Sequence, residues 1–237
     1  MKRMIMVGLL LIVVGAFATD RAEIVGQGGI HFLVGLPQDE FGENVGNAGI
    51  GFGLGFGVMP NSFFSVGGVV GFMNYGSETR REPLSYTIPD VTVEVTRSNN
   101  FLQGQIYMQA IADMDIVKPY IEGRVGFNYL WTETRVSDID GDDEDIASST
   151  NFDDFTLNYG GGGGLMIKVY EKSASSRDES DRSSRVYVDL KVIYTKGGNA
   201  EYLKEGSMEI IDNQVVYHPD ESHTDLLGIN VGVEVEF

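Results

Sequence analysis

The sequence contains no cysteine, and this absence excludes several classes of site at once. A chain without thiols has no disulfide, no cysteine nucleophile, no iron–sulfur or cysteine-based zinc site and no lipoprotein anchor. Its 237 residues must therefore be held together by their own sheet or core. A chain of this length forms one large barrel or two small domains.

Basic residues are few, because 17 Lys and Arg stand against 35 Asp and Glu and give a formal net charge of −18. A chain this acidic is not expected to bind nucleic acid. The sequence beyond residue 18 also lacks any apolar run of the roughly 20 residues that a membrane-spanning helix needs. It therefore predicts no helical membrane protein.

The N-terminus has the three parts of a secretory signal peptide. Lys2 and Arg3 form a basic head, residues 5–17 are apolar, and residues 16–18 match the A-x-A cleavage pattern. The alternative is a transmembrane anchor, for which the apolar run is too short. We predict that residues 1–18 are removed and that residues 19–237 form the mature domain.

Glycine occupies every second position from Gly49 to Gly57, and bulky apolar residues such as Phe52 lie between. The dinucleotide-binding pattern G-x-G-x-x-G is not met, because Leu54 and Phe56 stand where its third glycine is required. An apolar period of two is typical of a strand with two distinct faces, whereas a helix would need spacings of three and four. The stretch is therefore predicted to be a β-strand.

The same alternation recurs in eight segments, each long enough for the roughly 9–11 residues of a tilted membrane strand. The segments are residues 28–36, 47–58, 63–75, 100–112, 119–132, 154–170, 185–195 and 225–237. Short and long connections alternate, which is typical of barrels with periplasmic turns and extracellular loops. We predict an all-β fold over residues 19–237, an eight-stranded antiparallel up-and-down transmembrane β-barrel with long extracellular loops.

A water-soluble barrel such as a lipocalin also alternates, and the second face of the strands separates the two alternatives. Here that face is rich in Gly, Asn, Gln, Ser and Thr and poor in charge, which suits a narrow lumen behind a lipid-facing surface. Aromatic residues near both strand ends indicate two interfacial girdles. The loop-end set is Tyr75, Phe101, Tyr129, Trp131, Phe155 and Tyr194, and the turn-end set is Phe63, Phe64, Tyr120, Tyr187 and Phe237.

Two stretches resemble a known family. KPYIEGRVGFNYLW (118–131) and the C-terminal GINVGVEVEF (228–237) resemble the small outer-membrane β-barrels, the OmpA/OmpX-like and OmpW-like proteins. The resemblance implies location in the bacterial outer membrane, contact with its lipid, and a last strand recognised by the barrel-assembly machinery. The residues that match this assembly signal are Val231, Val233, Val235 and Phe237. The resemblance rests on pattern and implies no particular activity.

Charged residues on the predicted inward face are expected to lie in the periplasmic half of the lumen. They are Glu122, Arg124, Lys168, Asp189, Lys191, Glu234 and Glu236. Because an unpaired buried charge is costly and eight strands leave room only for side chains, we predict a paired charged plug below a small vestibule. The alternatives are a purely structural role for these charges and a narrow gated path. Glycines 49–57 are expected to make room in the lumen or to let the sheet curve.

An acidic loop at residues 138–145 looks at first like a calcium loop. The EF-hand pattern fails, because Asp143 stands where its glycine is needed and Ser149 where its glutamate is needed. A looser divalent-ion cluster remains a candidate, and a solvated loop is the alternative. The candidate ligands are Asp138, Asp140, Asp142, Asp143 and Asp145. No cofactor is predicted.

The histidines do not indicate catalysis. His218, Ser222 and His223 lie close together in the sequence but match no catalytic motif, so no catalytic residue is assigned and the protein is not expected to be an enzyme. His31 is expected to face the lumen beside the last strand. Segments 84–95 and 208–218 alternate around Pro-Asp and Asp-Asn pairs and are expected to form hairpins above the membrane, a surface suited to partner binding.

These patterns favour a structural or surface-interaction role with a plugged lumen, and an extracellular ligand or surface as the candidate partner. A narrow channel for small or apolar solutes, as in OmpW-like proteins, is the first alternative, and liposome swelling would favour it. An outer-membrane lipid-modifying enzyme is the second, and loss of activity on changing Ser222 or His223 would favour it. The ligand and the oligomeric state are left open.

Overall fold

Eight antiparallel strands close on themselves. The computed structural model describes residues 24–45, 48–85, 88–138, 145–172, 183–202, 208–211, 214–217 and 220–237. Each long strand pairs with its neighbour in chain order, and the last pairs with the first, so the barrel has no edge within its wall. The strands are β1 (Val25–Pro37), β2 (Gly49–Asn61), β3 (Phe64–Ser85), β4 (Ile88–Ile111), β5 (Val117–Asp138), β6 (Asp145–Lys172), β7 (Ser184–Gly197) and β12 (Leu226–Glu236). The predicted fold class is confirmed.

The remaining elements lie between these strands. A short helix, α1 (Asp39–Val45), follows β1 in a connection that the sequence predicted to be a loop. The connection between β7 and β12 contains β8 (Asn199–Tyr202), β9 (Met208–Ile211), β10 (Gln214–Tyr217) and β11 (Asp220–His223). β9 pairs with β10 and β8 pairs with β11, each as a two-stranded sheet. No helix in the described ranges is long and apolar enough to cross a membrane.

The connections define two ends of the barrel. At the turn end, residues 62–63 join β2 to β3, residues 112–116 join β4 to β5, and residues 173–183 join β6 to β7. The opposite, loop end carries α1, the connections within 86–87 and 139–144, and the segment from β8 to β11. Val25 and Glu236 both lie at the turn end, as the alternation of short and long links predicts.

The outer surface of the barrel is an apolar belt. On β2, Ile50, Phe52, Leu54 and Phe56 are 55%, 66%, 57% and 65% exposed, whereas Gly51 and Gly53 between them are buried. The same alternation places Val125 on β5, Leu157 on β6 and Val231 on β12 on this outer face. The faces are therefore inverted relative to a water-soluble barrel, whose large apolar side chains would point inward.

Four strands rise beyond the others at the loop end. β2 pairs with β3 only as far as Asn74, and β6 pairs with β7 only from Asn158 onward. Above these points β3, β4, β5 and β6 continue to pair with one another as an open sheet, which we call the protruding sheet. In the β3–β4 hairpin Ser85 pairs with Ile88, so Pro89 and Asp90 lie within β4 and do not form the predicted turn.

Two of the β2 glycines make room for aromatic side chains inside the barrel. A Cβ at Gly49 would lie 2.7 Å from the ring of Tyr75, and one at Gly57 would lie 2.5 Å from the Tyr107 hydroxyl. Both rings point into the lumen and occupy the space that side chains at Gly49 and Gly57 would otherwise fill. Gly55 has no atom within 4 Å of such a Cβ, so space does not explain that residue.

Four aromatic residues predicted for the interfacial girdles lie inside the barrel instead. Tyr75, Phe101, Tyr120 and Tyr187 are 3%, 0%, 5% and 0% exposed. Each of them lies on the lumen-facing side of its strand. They were predicted to be interfacial because they lie near the strand ends, without regard to which face of the strand they occupy. Trp131 does lie on the outer face, where its ring stacks on Tyr129 with centroids 5.3 Å apart and also contacts Phe72.

Candidate functional site

The turn end of the lumen is crossed by a chain of alternating charges. Lys118 on β5 donates to Glu236 on β12 across 3.1 Å, and Arg185 on β7 donates to the second oxygen of the same carboxylate, also across 3.1 Å. Tyr187 donates to Glu236 as well, and the Lys118 ammonium lies 5.0 Å from the centre of its ring. Glu236 thus accepts three hydrogen bonds and ties the last strand to the opposite wall.

A cavity of about 580 Å³ opens beneath this chain toward the turn end. Lys168 lies on its rim and donates to Glu171 and to the exposed Asp115, so it does not join the ion pairs deeper in the lumen. Arg185 also donates to Glu171. Hydrogen bonds from Lys168 and then Arg185 hold the pKa of Glu171, which lies outside the apolar belt, below its ordinary value.

Asp189 on β7 is the centre of a second, fully buried cluster. One of its oxygens accepts from Tyr120 at 2.7 Å, and the other lies 3.0 Å from both Nε2 of His31 and Nζ of Lys191. Nε2 of His31 also lies 3.3 Å from Glu234 on β12. These five side chains come from four strands, and all of them are nine-tenths buried or more.

The glycines of β6 place no side chains on the inner wall between Tyr120 and Asp189. Tyr120 stands on β5 and Asp189 on β7, so the tyrosine reaches across the intervening strand. A Cβ at Gly164 would lie 2.5 Å from the Tyr120 hydroxyl, and one at Gly162 would lie 2.8 Å from the Cα of Ile193. The glycine run of β6 therefore lets the side chains of β5 contact those of β7 directly.

A ladder of polar side chains continues from this cluster toward the loop end. Arg124 pairs with Glu122 and donates to Gln105 at 3.2 Å, and Gln105 donates to Asn158 at 2.7 Å. Asn158 then bonds to Asn128, which donates to Thr224 at 3.1 Å. The ladder links the ion pairs to the base of the loop segment that precedes β12.

In the loop-end half of the lumen, where a small vestibule was predicted, the polar ladder runs beside an apolar cluster. Its buried side chains are Leu33, Phe41, Met73, Tyr75, Phe101, Leu130, Ala200 and Leu226. Phe41 belongs to α1 and is 0% exposed, and its ring packs edge-on against Tyr75 with centroids 5.8 Å apart. This cluster was not predicted, because the bulky residues of the alternating pattern were all expected to face lipid.

Removing the Phe41 ring is expected to release α1 without unfolding the barrel. Asp39, Glu40 and Glu43 of the helix are exposed, so among the helix side chains that the structure describes Phe41 is the large apolar one that holds it in place. In Phe41→Ala we expect amide hydrogen exchange in residues 39–43 to rise to loop values, while barrel stability falls by under about 1 kcal/mol. Exchange measured by mass spectrometry tests this, with Glu40→Ala as the control. Protection equal to that of Glu40→Ala would contradict it.

The structure places six of the seven predicted lumen charges within the barrel, and Lys168 on its rim. It also brings in Lys118, which the sequence prediction counted with a turn, and Arg185, the first residue of the predicted strand 185–195. Their parity was the available signal, because Lys118 is in step with Glu122 and Arg124 along β5. His31 faces the lumen beside β12, where it pairs with Asp189 and Glu234.

Other predicted sites lie at the margins of the structure. Of the acidic loop, residues 139–144 fall outside the described residues, and nothing tests the divalent-ion hypothesis. His218 and the signal peptide at residues 1–18 also fall outside them. Ser222 is buried and its hydroxyl donates to the carbonyl of His223 at 3.4 Å. Phe237 closes the barrel through backbone bonds to Gly26, and its role in assembly stays a prediction.

No protein-family model and no curated protein matches the sequence. The chain is similar to solved outer-membrane barrels. Ail, the attachment invasion locus protein of Yersinia pestis, in complex with the heparin analogue sucrose octasulfate, is 13% identical with a TM-score of 0.45, over 91% of this chain and 100% of that one. Neisserial surface protein A is 12% identical with a TM-score of 0.38, over 90% of this chain and 95% of that one. The N-terminal β-barrel domain of Pseudomonas aeruginosa OprF is 9% identical with a TM-score of 0.31, over 89% of this chain and 97% of that one. At these identities the similarity is one of fold.

Proposed function

We propose that the protein resides in the bacterial outer membrane as a closed barrel and presents the protruding sheet to partners at the cell surface. The apolar belt supports the location, because an exposed apolar surface that encircles a barrel is stable only against lipid. Export through a cleaved signal peptide and insertion by the barrel-assembly machinery are part of the same proposal. The observation that carries the surface role is the extension of β3 to β6 beyond their barrel neighbours.

The protruding sheet has a strand edge suited to recruiting an extended chain. Residues 77–85 of β3 pair with β4 on one side, and no described strand pairs with their other side. Such an edge offers a row of backbone donors and acceptors to a partner segment. On the far side of the sheet, the carboxylate of Asp154 on β6 accepts from the backbone of Glu201 in β8, so that side is partly covered. The β3 edge is therefore the open one.

The charge of the loop end indicates the partner's chemistry. Residues 37–48, 75–100, 132–154 and 196–225 hold 23 of the 35 Asp and Glu but only 6 of the 17 Lys and Arg. An acidic surface attracts cationic partners and raises their association rate at low salt. We therefore propose an extended basic polypeptide as the partner, added as a strand to the β3 edge.

Shortening the β3–β4 hairpin tests this function. A variant in which a two-residue turn joins Ser77 to Ser98 keeps the barrel pairing and removes the protruding edge. Folded in nanodiscs, it should lose binding to an extended oligolysine-containing peptide, whereas the same shortening of the β9–β10 hairpin should not. Binding should weaken as salt rises. Equal binding by both variants would contradict the proposed edge, and equal binding of an acidic peptide would contradict the proposed charge.

The lumen is proposed to be a plug and not a pore. Ion pairs, a polar ladder and apolar clusters fill its length, so we expect no single-channel conductance from the folded protein in planar bilayers. In Arg124→Ala the Glu122 carboxylate loses its partner, so barrel melting should fall and a leak should appear. The exposed Arg135→Ala is the control. Unchanged melting and conductance in Arg124→Ala would contradict the plug and favour the channel hypothesis. That the protein is not an enzyme stays a prediction.

A further inference from the structure

A small chamber lies in the middle of the barrel, between the Asp189 cluster and the apolar cluster. Its volume is about 30 Å³, roughly twice the 10–15 Å³ that a site needs to hold one water molecule, so it has room for one small ion or a few waters. Leu33, Met73 and Ile193 supply its apolar wall. The polar residues that line it are His31, Gln103, Arg124, Lys191, Thr195 and Asn230.

The polar lining of this chamber is one-sided in charge. Arg124 and Lys191 are cations, His31 becomes one on protonation, and Gln103, Thr195 and Asn230 carry amide or hydroxyl donors. None of the described residues that line the chamber is a carboxylate, although Glu122, Asp189 and Glu234 pair with these same cations nearby. The cationic member of each of these ion pairs therefore lines the chamber, while its carboxylate partner does not.

Three of the groups at the chamber lack partners in the described part of the chain. Nδ1 of His31 is fully buried and has no hydrogen-bond partner, while Nε2 of the same ring lies between two carboxylates. Asn230 is 6% exposed and its amide has no hydrogen bond to the described residues. Arg124 uses Nε for Glu122 and Nη1 for Gln105, which leaves Nη2 without a bond there. Buried donors without acceptors are costly, so an occupant that accepts from them is favoured.

We infer that the chamber binds one small monovalent anion of halide size. The anion accepts hydrogen bonds from Arg124, Asn230 and Nδ1 of protonated His31, and the Lys191 charge adds to its attraction. Because Glu122, Asp189 and Glu234 already offset much of the cationic charge, the affinity is weak, in the millimolar range.

Bromide is the direct probe of this site. The full mature chain is refolded from urea into detergent in sodium bromide, so that the ion enters before the barrel closes, and the crystals are examined at the bromine absorption edge. An anomalous peak within hydrogen-bond distance of Asn230 and Arg124 is expected. A chamber that holds only water, without an anomalous peak in crystals grown at molar bromide, overturns the inference.

Substitutions at Asn230 separate an anion from a water. Asn230→Leu removes a donor to the ion and should weaken bromide binding, followed by ⁸¹Br line broadening, at least about tenfold. Asn230→Asp places a carboxylate where the anion binds, so it should abolish bromide binding and melt no lower than wild type in halide-free buffer. Thr156→Val, at a buried lumen threonine outside the chamber, should bind bromide as wild type does. A fall in the melting temperature of Asn230→Asp, or equal line broadening in all variants, contradicts the anion site.

Discussion

Gly162→Val is expected to prevent the barrel from closing or to destabilise it by at least about 3 kcal/mol. A Cβ at this position would lie 2.8 Å from the Cα of Ile193 and 2.9 Å from the carbonyl carbon of Val192. Both atoms are backbone of the neighbouring strand β7, so no side-chain rotation relieves the contact. The measurement is the fraction of refolded protein that shifts on boiling in a heat-modifiability gel, together with the urea midpoint of the folded fraction.

Gly123→Val is the matched control for this substitution. Gly123 lies on the adjacent strand β5, is exposed on the outer face, and has no atom within 4 Å of an added Cβ. Valine there adds apolar surface toward lipid and suits a strand, so we expect a change within about 1 kcal/mol. If both variants fold equally well, crowding between β6 and β7 is not the reason for the glycine run. If both fail, the loss comes from valine in a strand and not from the contact.

The face of the barrel wall on which most strand residues lie was the part of the structure that the sequence predicted well. An error of one position moves every side chain of a strand to the opposite face, so the alternation of Gly51 and Phe52 on β2 and of Asp189 and Leu190 on β7 left a single arrangement. Because both faces were defined for every strand, closure and the number of strands followed. The strand ends did not follow: a hairpin was predicted within residues 84–95, but irregular pairing such as that between Asn74 and Ser77 hid its continuity with the barrel strands.

The division of the inward side chains between polar networks and apolar clusters was not predictable in the same way. Tyr75 and Tyr120 have the same inward parity, but one packs beneath Phe41 and the other donates to Asp189. Which of these occurs depends on the register between strands and on the direction in which each side chain leans across the lumen. Neither quantity is encoded in the period of a single strand.

Asp189→Leu is expected to lower the free energy of unfolding by about 3–5 kcal/mol, which is the usual effect of removing one partner from a buried ion pair. Asp189 accepts from Tyr120 at 2.7 Å and lies 3.0 Å from His31 and from Lys191. Its loss removes the acceptor of the Tyr120 hydroxyl and leaves His31 and Lys191 with only Glu234 nearby, at 3.3 Å and 4.0 Å. Urea unfolding in detergent, followed by the fluorescence of Trp131, measures the change. The control is Asp153→Leu, where an exposed carboxylate accepts one bond from Tyr129, and a change under about 1 kcal/mol is expected.

A double variant tests whether the unpaired charge causes the loss. In Asp189→Leu the Lys191 ammonium stays 5% exposed with only Glu234 nearby, at 4.0 Å. Adding Lys191→Met removes that charge, so the double variant should be more stable than the sum of the single losses predicts, by about 1–3 kcal/mol. If the losses simply add, the two residues act independently and the effect of Asp189 comes from packing. Recovery in the double variant would mean that removing both members of the Asp189–Lys191 ion pair costs less stability than leaving the Lys191 charge buried without Asp189.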